Sequence, residues 1–335
     1  MERAAVIGAG AWGTTLARHL AEKGMPVTLW AYEPEVADGI RTKHENLLFL
    51  PGIPLPPSLH ATGSLAEAVH GVDLLIFAVP SHAARSVLGE LSPLLHRAIP
   101  VVSATKGIEE ESLKLMTQVM ADVFPLSFHD LLTVLSGPSF AAEVCLRRPT
   151  AIVLAGHRPD IVRRLQSLLM SGAFRVYAGS DGIGVQLGGA LKNVMAVAAG
   201  VVDGLGLGHN ARAALITRGL AEMIRLGIAL GADPRTFYGL SGVGDLVLTC
   251  TGPLSRNYTV GVRLGRGERL RDILDETKAV AEGIRTSRAA AKLAERHGVD
   301  MPIVREVSRV LFEDKPPRQA VTELMERAAK EETGC

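Results

Sequence analysis

Ala4-Ala5-Val6-Ile7-Gly8-Ala9-Gly10-Ala11-Trp12-Gly13 decides how the first half of this chain folds. Its four leading apolar residues read as a strand buried on both faces, since no polar side chain alternates with them. The G-x-G-x-x-G after them is the turn into a helix over Trp12–Lys23. Gly8 permits the tight turn, Gly10 lets the backbone approach a pyrophosphate, and Gly13 lets the helix pack close to the strand. The free N–H groups at the helix start, from Ala11 and Trp12 onward, face the same anion. Strand, turn and helix in this order predict a dinucleotide site.

Further strands are expected at Val27–Ala31, Leu74–Val79, Val101–Ser103, Leu132–Ser136, Ala151–Ala155 and Arg175–Tyr177. Amphipathic helices over Ser81–Leu88, Glu110–Val123 and Pro159–Met170 fall between several of them. Continuous apolar strands alternating with helices predict an α/β unit with a parallel sheet covered on both faces. Glu45–Leu59, with Pro51, Pro54, Pro56 and Pro57, reads as an extended loop over the sheet edge. After about Gly179 the strand signals fade. Helices follow at Val185–Val202, Ala211–Leu230, Pro234–Phe237, Asn257–Leu264, Leu270–Asp275, Ala281–His297, Pro302–Phe312 and Pro317–Lys330. The expected organisation is therefore a Rossmann-type dinucleotide-binding domain over 1–180 and an all-helical C-terminal domain over 181–335.

Composition narrows the partners. The chain has 335 residues, with Lys plus Arg at 36 and Asp plus Glu at 35, for a net charge of +1. That balance points to neither nucleic acid nor an acidic membrane surface. Cys145, Cys250 and Cys335 have no CxxC spacing and read as reduced thiols, with no metal site. The N-terminus lacks a signal-peptide pattern. The longest apolar run, around Val194–Val202, falls short of the ~18 residues of a membrane span. A cytoplasmic location is the expectation.

Five places carry chemistry. Glu33, twenty residues past Gly13, falls where an acidic group accepts from adenosine ribose hydroxyls. No Arg or Lys follows it before Arg41, which leans toward NAD and leaves NADP open. Tyr32 either covers the adenine or is a surface aromatic. Lys106 ends the segment Val102–Gly107 beyond a buried strand, either at the ligand edge of the sheet or as a loop lysine in water. Ser136-Gly137-Pro138-Ser139 offers a hydroxyl at another strand end. Between Ser241 and Asn257, Asp245 follows two glycines, and Ser255-Arg256-Asn257 combines a hydroxyl, a guanidinium fork and an amide suited to a phosphate monoester. Lys192 is the one cation in the apolar helix Val185–Val202. It either snorkels out or is a buried general base.

With these residues in view, the chain resembles the bacterial NAD(P)-dependent glycerol-3-phosphate dehydrogenases over nearly its whole length. The matching blocks are Gly8–Gly13, Ser103–Gly107, Ser136–Ala142, Leu187–Asn193, Asp203–Gly206, Ala213–Met223, Leu240–Cys250, Ser255–Asn257 and Ala281–Gly283. The resemblance implies that Lys192 is the proton acceptor. It implies that Lys106, Gly137, Ser139, Lys192, Asp245, Ser255, Arg256 and Asn257 hold the substrate. It adds Trp12, Tyr32, Lys106, Ala141, Arg256, Val280 and Glu282 as the lining of the cofactor site. The implied reaction interconverts sn-glycerol 3-phosphate and dihydroxyacetone phosphate, usually for phospholipid synthesis, in a homodimer. Trp30-Ala31-Tyr32-Glu33 departs from the basic residues often found there in NADPH-preferring members. Burial and repulsion from Lys106 would lower the Lys192 pKa from ~10.4, while Asp245 or a cofactor phosphate would oppose them. Two other readings exist: a 2-keto-acid reductase, disfavoured by the phosphate-type Ser-Arg-Asn set, and a non-catalytic NADH sensor, which has no use for a buried Lys192.

Overall fold

The structure is a computed structural model that describes residues 2–276, 281–329 and 331–332. The chain divides into two compact units. The first runs to Lys106 and resumes from Met116 to Gly182. Its strands are β1 (Ala4–Ile7), β2 (Val27–Trp30), β3 (Glu45–Asn46), β4 (Leu50–Pro54), β5 (Leu59–Thr62), β6 (Leu74–Phe77), β7 (Val101–Ser103), β8 (Leu132–Ser136), β9 (Thr150–Gly156) and β10 (Phe174–Gly179). Its helices are α1 (Ala11–Glu22), α2 (Pro34–Lys43), α3 (Leu65–Ala68), α4 (Ala84–Leu91), α5 (Met116–Val123), α6 (Ala141–Cys145) and α7 (Pro159–Leu169).

Eight strands form one sheet in the order β5-β2-β1-β6-β7-β8-β9-β10, and β3 pairs with β4 separately. β1 lies between β2 and β6 and is parallel to both. The chain turns to one side after β1 and later returns on the other, so the end of β1 is the switch point where such sheets bind ligands. Ala4 and Val6 enter the core with Leu16 and Leu20, while Ala5 and Ile7 enter the opposite core with Leu88 and Leu91. Both faces are covered, which is why β1 has no polar residue. At the turn, Gly8 has φ +110°, and a Cβ on Gly13 would lie 1.9 Å from the Gly8 carbonyl oxygen.

The sheet departs from the expected all-parallel form at one place: β8 and β9 are antiparallel. The Pro-rich segment is also more ordered than expected. β3–β4 is a short antiparallel pair, and β5 joins the main sheet beside β2. Pro51 and Pro54 are tolerated because a two-stranded sheet has open edges where a missing N–H disrupts little. The helix expected over Glu110–Val123 begins only at Met116. Before it, Leu113 has φ +62° and Ile108 bridges Leu115. This excursion, Gly107–Leu115, groups with the second unit, so the single cut expected at 180/181 becomes an interrupted boundary ending at Gly182/Ile183. Three short helices, α2, α3 and α6, were not anticipated.

The second unit is otherwise helical: α8 (Gly182–Gly204), α9 (Gly208–Ala229), α10 (Asp245–Thr251), α11 (Arg256–Gly265), α12 (Leu270–Glu276), α13 (Glu282–Arg296), α14 (Pro302–Phe312) and α15 (Pro317–Met325). α15 stops short of the expected Lys330, which lies outside the described residues. α10, unanticipated, follows a kinked turn at Leu240–Gly244. Every residue of α8 from Gly184 to Val202 is buried. By length and composition α8 could cross a membrane, and its apolar window is wholly enclosed within the protein. The expectation of a shorter apolar run overlooked that small residues such as Gly188, Gly189 and Ala190 extend it.

α8 carries its neighbours at backbone contact. A Cβ on Gly200 would lie 2.1 Å from the carbonyl oxygen of Tyr258, and one on Gly261 would lie 2.0 Å from that of Val197. Helices α8 and α11 thus meet backbone to backbone. On α9, Glu222 is 1% exposed and accepts from the N–H groups of Ile303 (2.7 Å) and Val304 (3.1 Å), capping the start of α14. Burial pushes this carboxyl up to about 7, against the pull of those two bonds.

Two stability predictions follow from this packing. Gly200→Ala should lower stability by ~1–3 kcal/mol, the usual penalty of overpacking, read as a lower calorimetric Tm. An unchanged Tm would show that the two backbones do not touch. For Glu222 the folded pKa is raised, so its stabilising contribution is complete below the unfolded value of ~4.3 and is lost as pH rises through about 7. Glu222→Gln imitates the protonated acid. Its Tm deficit relative to the parent should therefore shrink from about pH 4 to about pH 8, which span that interval, and a constant deficit would refute the assignment.

Candidate active site

At the switch point, the turn fits a diphosphate. A Cβ on Gly10 would meet nothing within 4 Å, so space lies open beside the backbone. The Gly10 N–H has no hydrogen-bond partner among the described residues. The Trp12 indole N–H is buried and also has none. A backbone N–H left unbonded at a helix start is what a bound anion requires. Tyr32 is 77% exposed and meets Trp30 edge-on at 6.3 Å. Glu33 is half-buried at the N-cap of α2, directly after β2. Ala141 is the first residue of α6, and its carbonyl lies 3.5 Å from the Thr15 hydroxyl on α1.

The same unit gathers Lys106, Gly137 and Ser139. The carbonyl oxygen of Gly137 accepts from Lys106 Nζ at 3.3 Å and from Ser139 Oγ at 2.9 Å. Gly137 has φ +145°, and a Cβ there would lie 2.9 Å from Ile152 Cα, so only glycine fits. Lys106 follows β7 and Gly137 follows β8, and these strands are parallel neighbours. Both residues therefore sit beyond carboxyl ends, as the strand order requires.

In the helical unit, Lys192 is 7% exposed and Asp245 0%. Lys192 Nζ donates to Asp245 Oδ1 at 2.5 Å and to Thr249 Oγ1 at 2.9 Å. Thr249 Oγ1 in turn donates to the Asp245 carbonyl oxygen at 2.6 Å. A buried ammonium needs such partners, since alone it would lose its hydration without replacement. Two local features bring the pair together. Asp245 opens α10, where a carboxylate suits the helix dipole. Gly188 lets α8 approach the turn before α10, because its absent Cβ would sit 2.1 Å from the Ser241 carbonyl oxygen. Thr249 was not among the expected site residues. Its signal was the spacing of one helical turn from Asp245, legible only once α10 is known to be a helix.

The Ser255-Arg256-Asn257 set divides its labour. Ser255 Oγ caps α11 by accepting from the Tyr258 N–H at 3.3 Å. Asn257 braces three helices: its Nδ2 donates to Asn193 Oδ1 (3.0 Å) and its Oδ1 accepts from the Gly283 N–H (2.9 Å). Arg256, the first residue of α11, is exposed, and its guanidinium makes no hydrogen bond among the described residues. Glu282, first residue of α13, is the carboxylate acting on its charge. Val280 lies outside the described residues. Cys250, behind the ion pair, is held as a thiol, with burial pushing its pKa up to about 12. Among the described residues no group of three His, Cys, Asp or Glu side chains could hold a metal.

Both halves of the chain match known proteins. Residues 3–162 match the model for the N-terminus of NAD-dependent glycerol-3-phosphate dehydrogenase, and residues 181–322 match the model for its C-terminus. The glycerol-3-phosphate dehydrogenase (NAD(P)+) of Geobacter sulfurreducens is 57% identical over 331 residues, covering 99% of each chain. The crystal structure of glycerol-3-phosphate dehydrogenase from Coxiella burnetii superposes with a TM-score of 0.93 at 41% identity, covering 97% of this chain and 99% of that one. With both halves of the chain matched and a relative more than half identical along nearly its whole length, this chain belongs to the NAD-dependent glycerol-3-phosphate dehydrogenase family.

Proposed function

We propose that this protein interconverts dihydroxyacetone phosphate and sn-glycerol 3-phosphate with NADH or NADPH. The observation that carries the reading is the Lys192 amine held between Asp245 and Thr249 inside an apolar helical core. A bound nicotinamide supplies the hydride to C2 of the substrate in reduction and accepts it in oxidation. In reduction, Lys192 gives a proton to the oxygen on C2 as that oxygen gains charge. In oxidation, the neutral amine removes the hydroxyl proton while the hydride leaves the carbon. The ammonium formed then faces the Asp245 carboxylate, so no unpaired charge is created in the core. Thr249 fixes Nζ from a second direction, which holds the amine in one position for transfer.

The Arg256 guanidinium, which makes no side-chain hydrogen bond among the described residues, suits a phosphate monoester, with Ser255 and Asn257 beside it in sequence at the start of α11. Lys106, Gly137 and Ser139 offer a second cation and hydroxyl for the substrate. Gly8, Gly10, Ala11, Trp12 and Gly13 are assigned to the cofactor diphosphate, Tyr32 and Glu33 to its adenosine. Lys106, Ala141, Arg256, Val280 and Glu282 complete the cofactor assignment by family resemblance. The same resemblance supports a homodimer in the cytoplasm that supplies phospholipid synthesis. Family membership and the phosphate-type arginine do not favour a 2-keto-acid reductase or a silent NADH sensor.

The test is loss of reduced-nicotinamide absorbance on adding dihydroxyacetone phosphate, with NADH and NADPH compared. Lys192→Ala should lower kcat about a hundred- to ten-thousand-fold at saturating substrate, the span of general acid–base catalysis. Near-parent turnover in a folded Lys192→Ala protein would remove Lys192 from the proton-transfer role. Arg256→Ala should chiefly raise KM for dihydroxyacetone phosphate, and an unchanged KM would reassign the phosphate anchor.

A further inference from the structure

We propose that Asn46 is a positioning residue for the cofactor diphosphate, acting through the peptide between Ala9 and Gly10. The inference rests on the dinucleotide reading above, and adds to it a residue outside the Gly-rich motif, on the separate β3–β4 pair. Asn46 is 0% exposed. Its Nδ2 donates to the Ala9 carbonyl oxygen at 2.8 Å and to Thr14 Oγ1 at 2.8 Å. Thr14 Oγ1 donates to that same carbonyl at 3.2 Å, closing a ring of three hydrogen bonds. Asn46 Oδ1 accepts from the Phe49 N–H at 3.0 Å, which fixes the amide's orientation.

The consequence follows from the peptide bond. The Ala9–Gly10 peptide is trans, as are all those described, so the Gly10 N–H points away from the Ala9 carbonyl. Fixing that carbonyl inward fixes the Gly10 N–H outward. The space beside the Gly10 Cα is open, and this N–H has no partner among the described residues. A glycine on each side of Ala9 leaves the plane free to rotate, so an external clamp is what makes the donor point at a ligand before the ligand arrives. Pre-set donors bind an anion more tightly than donors that must be ordered on binding.

The test is fluorescence titration of NADH against the full-length parent, Asn46→Ala and Asn46→Ser, each well below its melting transition. ADP-ribose, which carries the diphosphate without nicotinamide, is measured by competition. The expected result is a parallel rise in Kd for NADH and ADP-ribose of about ten- to a hundredfold in Asn46→Ala, the range for a buried acceptor losing a partner. Asn46→Ser, which keeps a donor, should recover part of it. At saturating NADH, kcat and the KM for dihydroxyacetone phosphate should stay at parent values. Unchanged Kd in folded Asn46→Ala, even with a lowered Tm, would overturn the proposal by reducing Asn46 to a structural brace. A loss for NADH that spares ADP-ribose would overturn it too. Failure of the parent itself to bind NADH would instead overturn the dinucleotide reading, and this inference with it.

Discussion

The helical unit depends on backbone meeting backbone along α8. At Gly188 and Gly200 on this helix, and at Gly261 on the facing α11, a single methyl group would collide with a carbonyl oxygen. Helices separated by larger side chains sit ~8–10 Å apart, and closer approach requires residues that add nothing to the surface. This proximity determines what the unit can do. It lets the turn before α10 lie against α8, so that Asp245 reaches Lys192. It also seats α11 so that Asn257 bonds Asn193 one residue further along α8. The glycines contribute no chemistry, yet the distances between reactive atoms depend on them.

An ion pair in such a place is not a stabilising ornament. Taking both charges out of water offsets most of their attraction, and a buried pair is often no better for stability than apolar residues of the same volume. Removing one partner is far more harmful, by ~3–5 kcal/mol, because the other charge remains stranded. Lys192 and Asp245 therefore hold each other in place without adding much to the folded state. That is the property wanted of a group that must gain and lose a proton while its surroundings stay fixed. Thr249 reinforces it: by accepting from Nζ and donating to the Asp245 carbonyl, it ties the amine to the first turn of α10.

How much was legible in the sequence depended on how far each signal reached along the chain. β1 and β6 were plain, because strands covered on both faces are apolar throughout. β5 was not: His60 and Thr62 are polar, and Pro56-Pro57 lie just before the strand, with only Ser58 between. Its partner β2 lies some thirty residues earlier, and pairing at that distance leaves no local mark. Gly107–Leu115 failed for a related reason. Ile108, Leu113 and Leu115 have the apolar content of a helix face, but they are spent on the core of the other unit. The site residues were legible as types. Lys192, Asp245 and Arg256 stood out as charges in apolar or glycine-rich surroundings. Their partners did not, since Thr249 and Asn193 are ordinary polar residues whose meaning comes only from what they touch.

The same division runs through the dinucleotide turn. The glycines of a G-x-G-x-x-G report where the backbone is free to turn and to be approached. They do not report what stops it from turning wrongly. Freedom at Gly8 and Gly10 is needed for the shape, but it also leaves the intervening peptide plane without a preference of its own. Something outside the motif must supply that preference. Here it is an amide from β3, itself fixed by the Phe49 N–H in the following turn. The short β3–β4 pair, which looked like a proline-broken loop, is thereby the element that holds Asn46 at a depth where no water competes for its hydrogen bonds. A motif read from glycines alone is half a site, and the other half is the polar side chain that removes the freedom the glycines introduce.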